Sequence, residues 1–276
     1  MNNTVREAIR KAIAKHKMIV ISLLCLTFVG VLLLVFKDGY SMREDEFSEI
    51  QQYIMEIREK DKNIYNNLMY KELKIETNGI DVSSFQGDID WEKVKESNLD
   101  FVIIRCGYRN LTNDEIHEDS KFRRNISEAN RLGIPVGVYF YSTARNELET
   151  YEEATFVLNL IKDYEVLYPV VYDFELYDSK RTTGVSSDRI NDNAIYFLDY
   201  ISSHGYKAML YSNNSYLERV WKRDNYSEYK FWLAQYDGEV TKAYDMLQYS
   251  DKGTIPGING YVDLDKATFK YEIISK

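Results

Sequence analysis

Asp173 and Glu175 stand two residues apart at the end of Pro169-Val170-Val171-Tyr172-Asp173-Phe174-Glu175, an apolar run that reads as a buried strand. Side chains two apart on a strand share a face and lie about 6 to 7 Å apart along the chain. Two carboxylates are thus set side by side where desolvation is costly. Gly79-Ile80-Asp81-Val82 and Tyr261-Val262-Asp263-Leu264 repeat the pattern, each enclosing one acid in apolar neighbours. Any one of these acids alone fits a helix cap or an arginine's partner equally well. Gathered in one fold, the four would form a glycosidase-type cluster, in which like charge and partial burial raise one pKa while another group stays ionised.

The elements that must position them alternate from Gly79 onward. Strands are predicted at residues 79–82, 101–106, 135–141, 169–173, 206–211, 231–235, 244–249 and 261–264. Pro135 and Pro169 open their strands, where a missing N–H costs little. Helical patterns fill the first four gaps. Asp90 is the expected N-cap before Trp91, and Ile190, Ala194, Phe197 and Ile201 form one apolar face that Gly205 ends. The last three strands follow one another too closely for full helices between them. The reading is α/β, an irregular TIM-type barrel of about five βα units plus three further strands. Chemistry in such barrels sits at the C-terminal strand ends, where Asp81, Asp173, Glu175 and Asp263 fall on the first, fourth and eighth strands. The eighth closes against the first, so a single mouth is expected to hold all four.

The start of the 276-residue chain has a different pattern. Arg6, Arg10, Lys11, Lys15 and Lys17, against Glu7 alone, precede residues 18–36, which run for 19 residues without a charge. As a helix that is roughly 28 Å, enough to span a bilayer. With no small-x-small cleavage site after it, an uncleaved anchor is preferred to a cleaved signal peptide or a buried core helix. The basic flank puts the tail of residues 1–17 in the cytoplasm and the rest outside, giving a single-pass protein of the cell membrane with an extracellular catalytic domain. Between the anchor and Asn78, Phe47, Ile50, Ile54, Ile57, Ile64 and Leu68 recur three and four apart, with Asp61 in the missing slot. Residues 37–77 are read as a helical stalk or linker. It is either a short coiled coil through which two chains associate, or an amphipathic helix docked on the domain of residues 78–276.

Composition narrows the partners. Residues 1–36 hold five basic residues and one acidic, leaving 30 basic against 43 acidic residues, a formal charge of −13. That excludes nucleic acid and anionic membrane surfaces as partners of the outer part. Cys25 in the anchor and Cys106 in a strand cannot pair within one chain, so the outer domain is expected to rely on its core. His16, His117 and His204 lie at no ligand spacing, and neither a metal nor another cofactor is expected.

Four segments in order carry a family resemblance: Gly-Ile-Asp-Val-Ser-Ser-Phe-Gln-Gly (79–87), Tyr-Asp-Phe-Glu (172–175), Phe-Trp-Leu-Ala-Gln-Tyr (231–236), and Gln-Tyr-Ser with Gly-Ile-Asn-Gly-Tyr-Val-Asp-Leu-Asp (248–250, 257–265). Together they resemble the glycoside hydrolase family 25 lysozymes over about residues 78–270. The resemblance implies an N-acetylmuramidase that cleaves the β-1,4 bond between N-acetylmuramic acid and N-acetylglucosamine of peptidoglycan. Glu175 would be the proton donor, with Asp173, Asp81 and Asp263 as supporting carboxylates. Asp173 would either stabilise an oxazolinium formed by the sugar's own N-acetyl group or act as a nucleophile. Tyr139, Tyr141, Tyr211 and Trp232 are candidate sugar-stacking surfaces, although aromatics fill barrel interiors as readily. Gln248 is a further candidate contact. Two departures stand out: Leu247 replaces a tryptophan, expected to weaken a stacking surface, and Asp265 replaces an asparagine, expected to add a charge near the mouth. The rival readings are a chitinase-type glycosidase, whose upstream acids are here Val171 and Pro169, and a wall-binding protein of secretion or conjugation machinery.

Overall fold

The computed structural model describes residues 70–175 and 181–273. The basic tail, the anchor at 18–36 and the heptad stretch lie outside the described residues. Among the described residues, no helix is long and apolar enough to cross a membrane.

Eight strands close into a barrel in the order β2 (Thr77–Val82), β3 (Phe101–Arg109), β5 (Val136–Ser142), β6 (Val170–Phe174), β7 (Ala208–Asn213), β8 (Lys230–Ala234), β9 (Met246–Gly253) and β10 (Val262–Ala267), which pairs back onto β2. All eight predicted strands are present. Neighbours are parallel from β2 through β9, whereas β10 is antiparallel to both β9 and β2. The connection over residues 254–261 is too short for the crossover that a parallel neighbour needs. A short strand β4 (Ile116–Glu118) pairs antiparallel on the outer end of β3.

Helices α1 (Trp91–Glu96), α2 (Phe122–Arg131), α3 (Glu147–Ile161) and α4 (Ser187–Ser203) fill the first four gaps, and a shorter α5 (Asn214–Arg219) follows β7. Asp90 caps α1 by accepting from the Lys93 backbone N–H, as its position in the sequence suggests. Ile190, Ala194, Phe197 and Ile201 are all buried, and Gly205, at φ +86°, turns the chain out of α4.

Period-two alternation sorts each strand into two faces. Val102, Ile104, Val138, Phe140, Tyr172, Phe174, Leu210 and Leu233 point outward into the layer beneath the helices. Ile103, Val171, Met209, Tyr211, Trp232 and Met246 point inward. Leu247 belongs to the outer layer, so its position never faces the mouth, contrary to the stacking role expected there.

The floor, at the N-terminal strand ends, is closed by aromatic rings. Phe101 stacks on Tyr168 at 4.6 Å between centroids, and Tyr271 meets Tyr168 at 5.5 Å and Phe269 at 5.0 Å. Beneath them β1 (Tyr70–Leu73) pairs antiparallel with β11 (Lys270–Ile273), and Lys230 bonds Glu72 at 2.8 Å. The last residues assigned to the stalk are therefore strand. This four-residue pair lacks a pattern of its own and becomes a strand through its partner at the other end of the chain.

Gly79 lies directly against the floor, where an added Cβ would come within 2.3 Å of the Phe101 ring. That ring is pinned by Tyr168 and cannot give way. Gly79→Ala is expected to lower the unfolding free energy by about 1 to 3 kcal/mol, measured by urea denaturation. A change under half a kcal/mol would show that the floor can shift.

Candidate active site

The mouth is built where the inward face of each strand reaches its C-terminal end. After Asp81 the chain leaves β2 through a capped turn. The Ser83 hydroxyl accepts from the Phe85 N–H at 3.2 Å, and the Gln86 side chain accepts from the Ser83 N–H at 2.8 Å. This capping box is the local reason for the Ser and Gln of the first motif. On β6, Tyr172 and Phe174 are drawn outward by the helix layer, which forces Asp173 inward between Tyr141 of β5 and Tyr211 of β7 in the ladder. Glu175 follows at the strand end, half-buried.

Asp263 lies directly opposite Asp81 across the β2–β10 pair. It reaches the mouth for a reason that differs from the expectation. It is the second residue of a strand running from mouth to floor, not the end of one running towards the mouth. The same reversal corrects Asp265. Two residues further on it lies deeper, fully buried inside the barrel rather than adding a charge at the mouth.

The four predicted acids therefore converge, with Asp265 as a fifth. Their environment favours protons. Burial first, then the neighbouring Glu175 and Asp81 charges, hold Asp173 well above the usual carboxylate range, and its Oδ1 is buried without a hydrogen-bond partner. Burial and then Asp263 raise Asp81 above the usual carboxylate range, against the hydrogen bond from Gln248. Burial and Asp251 raise Asp263 to about 6.

Gln248 is the organising amide. Its Nε2 donates to Asp81 Oδ2 at 2.6 Å, while its Oε1 accepts from the Tyr211 hydroxyl at 3.0 Å and the Tyr236 hydroxyl at 2.7 Å. Trp232 is 2% exposed, and its indole N–H donates to Asp265 Oδ1 at 2.9 Å. It shows no open ring face to a sugar, so the structure makes it a support for the acids rather than a stacking surface. Tyr139 packs edge-on against it at 6.4 Å, and Tyr211 does so at 4.9 Å. Among the described residues, the exposed rings at this end are Phe85, Tyr236, Tyr249 and Tyr261.

Sequence reasoning missed Arg105, the cation that opposes the upward shifts of both Asp81 and Asp173. Its Nε donates to Asp119 at 2.8 Å and its NH2 to the Ser84 hydroxyl at 3.0 Å, and the guanidinium sits 4.7 Å over the Phe85 ring. A lone charge inside the apolar run of residues 101–106 was the available signal. A second network ties the outer ends of β3 and β5 to α3. Arg109 Nε donates to Glu153 at 2.7 Å, the Ser142 hydroxyl donates to the same carboxylate at 2.6 Å, and burial lifts Glu153 to about 7. Arg181, where the described chain resumes after Glu175, is held by Glu149, Asp114 and the Thr143 hydroxyl.

Comparison with known proteins gives a consistent set. The family model described as Glycosyl hydrolases family 25 matches residues 80–258. The Autolytic lysozyme of Clostridium acetobutylicum is 29% identical over 192 residues, covering 68% of this chain and 55% of that protein. Lysozyme M1 of Streptomyces globisporus is 26% identical over 204 residues, 68% of this chain and 66% of that one. Among solved structures, the modular autolysin LytC from Streptococcus pneumoniae, in complex with a synthetic peptidoglycan ligand, superposes with a TM-score of 0.62 at 30% identity. That match covers 69% of this chain and 46% of LytC. This chain thus spans about half the length of LytC and of the clostridial lysozyme.

The acid cluster predicts the pH dependence of stability. A carboxyl whose folded pKa is raised binds its proton more tightly in the fold than in the unfolded chain, so its contribution is full below about pH 4 and is lost as the pH rises through the folded value. Asp263 and Glu153, at about 6 and 7, act in this direction, and so do Asp173 and Asp265. Lys207, lowered to about 7 by burial, acts oppositely but only above that pH. The melting temperature should therefore fall between about pH 5 and 7, and Asp173→Asn should melt above wild type at pH 7 with the gap closing towards pH 4. A melting temperature that rises over this range would contradict the cluster's burial.

Proposed function

Because the chain belongs to glycosyl hydrolases family 25, we propose that it is a peptidoglycan hydrolase, an N-acetylmuramidase cleaving the β-1,4 bond between N-acetylmuramic acid and N-acetylglucosamine. The observation that carries this reading is the pair Asp173 and Glu175 at one strand end, one buried and one at the rim, facing Asp81 across the mouth. Glycosidic cleavage needs a proton for the leaving oxygen and negative charge beside the developing oxocarbenium ion.

In the resting protein burial favours the proton on Asp173. Its unpartnered Oδ1 suits the N–H of a sugar's acetamido group. Such a bond favours the charged form of Asp173 and passes the proton to Glu175, the outer member, in reach of the glycosidic oxygen. Asp173 then orients the acetamido group for attack on the anomeric carbon and stabilises the oxazolinium. Asp81 and Asp263 shape the field, Tyr141 and Tyr211 flank Asp173 in the ladder, and Tyr139 and Gln248 support the acids from inside the barrel. The exposed Phe85, Tyr236, Tyr249 and Tyr261 are the rings free to stack on the glycan.

The reading places residues 18–36 in the cell membrane as a single span, with the barrel outside and residues 37–69 between them. It rests on the basic flank and the uncharged run.

Glu175→Gln should reduce dye release from purified cell walls by at least about a hundredfold while leaving the melting temperature nearly unchanged, because the amide keeps the volume but delivers no proton. Asp173→Asn should be comparably severe. Mass spectrometry of wild-type digests should show reducing-end N-acetylmuramic acid. Wall binding without bond cleavage would leave recognition as the chain's only activity.

Topology is checked on wall-stripped cells. Added protease should remove the barrel and spare a tag on residue 1. Recovery in the medium of a protein beginning near residue 37 would overturn the anchor.

A further inference from the structure

Asp265 and Asp81 are buried carboxyls on neighbouring strands, Asp265 standing two residues along β10 from Asp263, which pairs with Asp81. Two carboxylates so placed repel and neither has a donor, whereas one shared proton lets one of them donate to the other. The surrounding bonds locate the proton. Asp81 Oδ2 receives the Gln248 N–H, which favours the anion there. Asp265 is 0% exposed, its Oδ1 is taken by the Trp232 indole, and no N–H or O–H reaches its Oδ2. An oxygen without a donor, in the deeper and drier of the two groups, is where an O–H belongs.

We infer that Asp265 is a positioning residue that works as a neutral acid, its Oδ2–H donating to Asp81 so that the pair presents a single negative charge, held in one orientation, to the mouth.

The groups facing the pair agree with a single charge. Asp263 on the same strand, Asp173 on β6, and the phenols of Tyr139 on β5 and Tyr211 on β7 bring no positive charge. Trp232 on β8 and Gln248 on β9 do not titrate. The cation on β3, Arg105, is already bound to Asp119. Among the described residues nothing is left to neutralise a second carboxylate. Burial and the Asp81 charge also hold Asp265 well above the ordinary aspartate range.

The role in hydrolysis rests on the muramidase reading, whereas the protonation state does not, and the test separates them. Asp265→Asn supplies an N–H in place of the O–H, and Asp265→Ala supplies nothing. On the full-length protein, Asp265→Asn should keep kcat within about twofold, whereas Asp265→Ala should lose roughly ten- to a hundredfold in kcat with KM little changed, the cost of one hydrogen bond to a charged group. Infrared spectra at pH 7 should show the carbonyl stretch of a protonated carboxylic acid, and that band should lose one acid's intensity in Asp265→Asn. An unchanged band overturns the proposal, as does equal loss of kcat in the two variants. If the wild type cleaves no wall, the muramidase reading falls and the infrared comparison still decides the state of Asp265.

Discussion

The structure depends on keeping carboxyls out of water. A barrel interior is the driest part of such a fold, and here its upper layer is lined with Asp81, Asp173 and Asp265, each at most 5% exposed. Moving a carboxylate into such surroundings is opposed by its lost hydration, and like charges nearby add to the cost. The fold offsets this with donors fixed on separate strands, the Gln248 amide on β9, the Trp232 indole on β8 and the more distant guanidinium of Arg105 on β3. Each donor is held by something else. Gln248 is oriented by two phenols, Trp232 by the edges of Tyr139 and Tyr211, and Arg105 by Asp119 and Ser84. The acids are thus supported by a layer of side chains that reacts with nothing and sets the geometry.

Much of this was legible in the sequence, for identifiable reasons. Strands buried on both faces read as apolar runs, and proline marks where two of them begin, so the eight barrel strands fall within a few residues of expectation. The acids stood out because a carboxylate inside such a run is improbable unless it serves a purpose. Direction was not legible. Nothing in residues 261–267 says which way the strand runs, because that is decided by pairing with β2 and β9. Asp263 was placed correctly by closure alone, and Asp265 was placed too high by the same ignorance. Ring exposure was hidden for a related reason. Trp232 and Tyr236 lie in one motif, but alternation and depth bury the first and leave the second open.

Outside the barrel, charge is used differently. Arg109 and Glu153 are fully buried as a pair, and with Ser142 they tie the upper ends of β3 and β5 to α3. Such a pair contributes little net stability, yet breaking one side leaves an uncompensated charge. Arg181 extends the tie to the chain that follows Glu175. The proton-donor candidate therefore sits between two anchored points, β6 before it and Arg181 after it.

The ribbon of β1 and β11 has a mechanical consequence. It brings the chain into the barrel at the floor, and the four-residue step from Thr77 to Asp81 along β2 separates that floor from the acids by about 13 Å. A pull applied at residue 70 would therefore load the ribbon and the aromatic plug above it first, at the pole opposite the carboxyls.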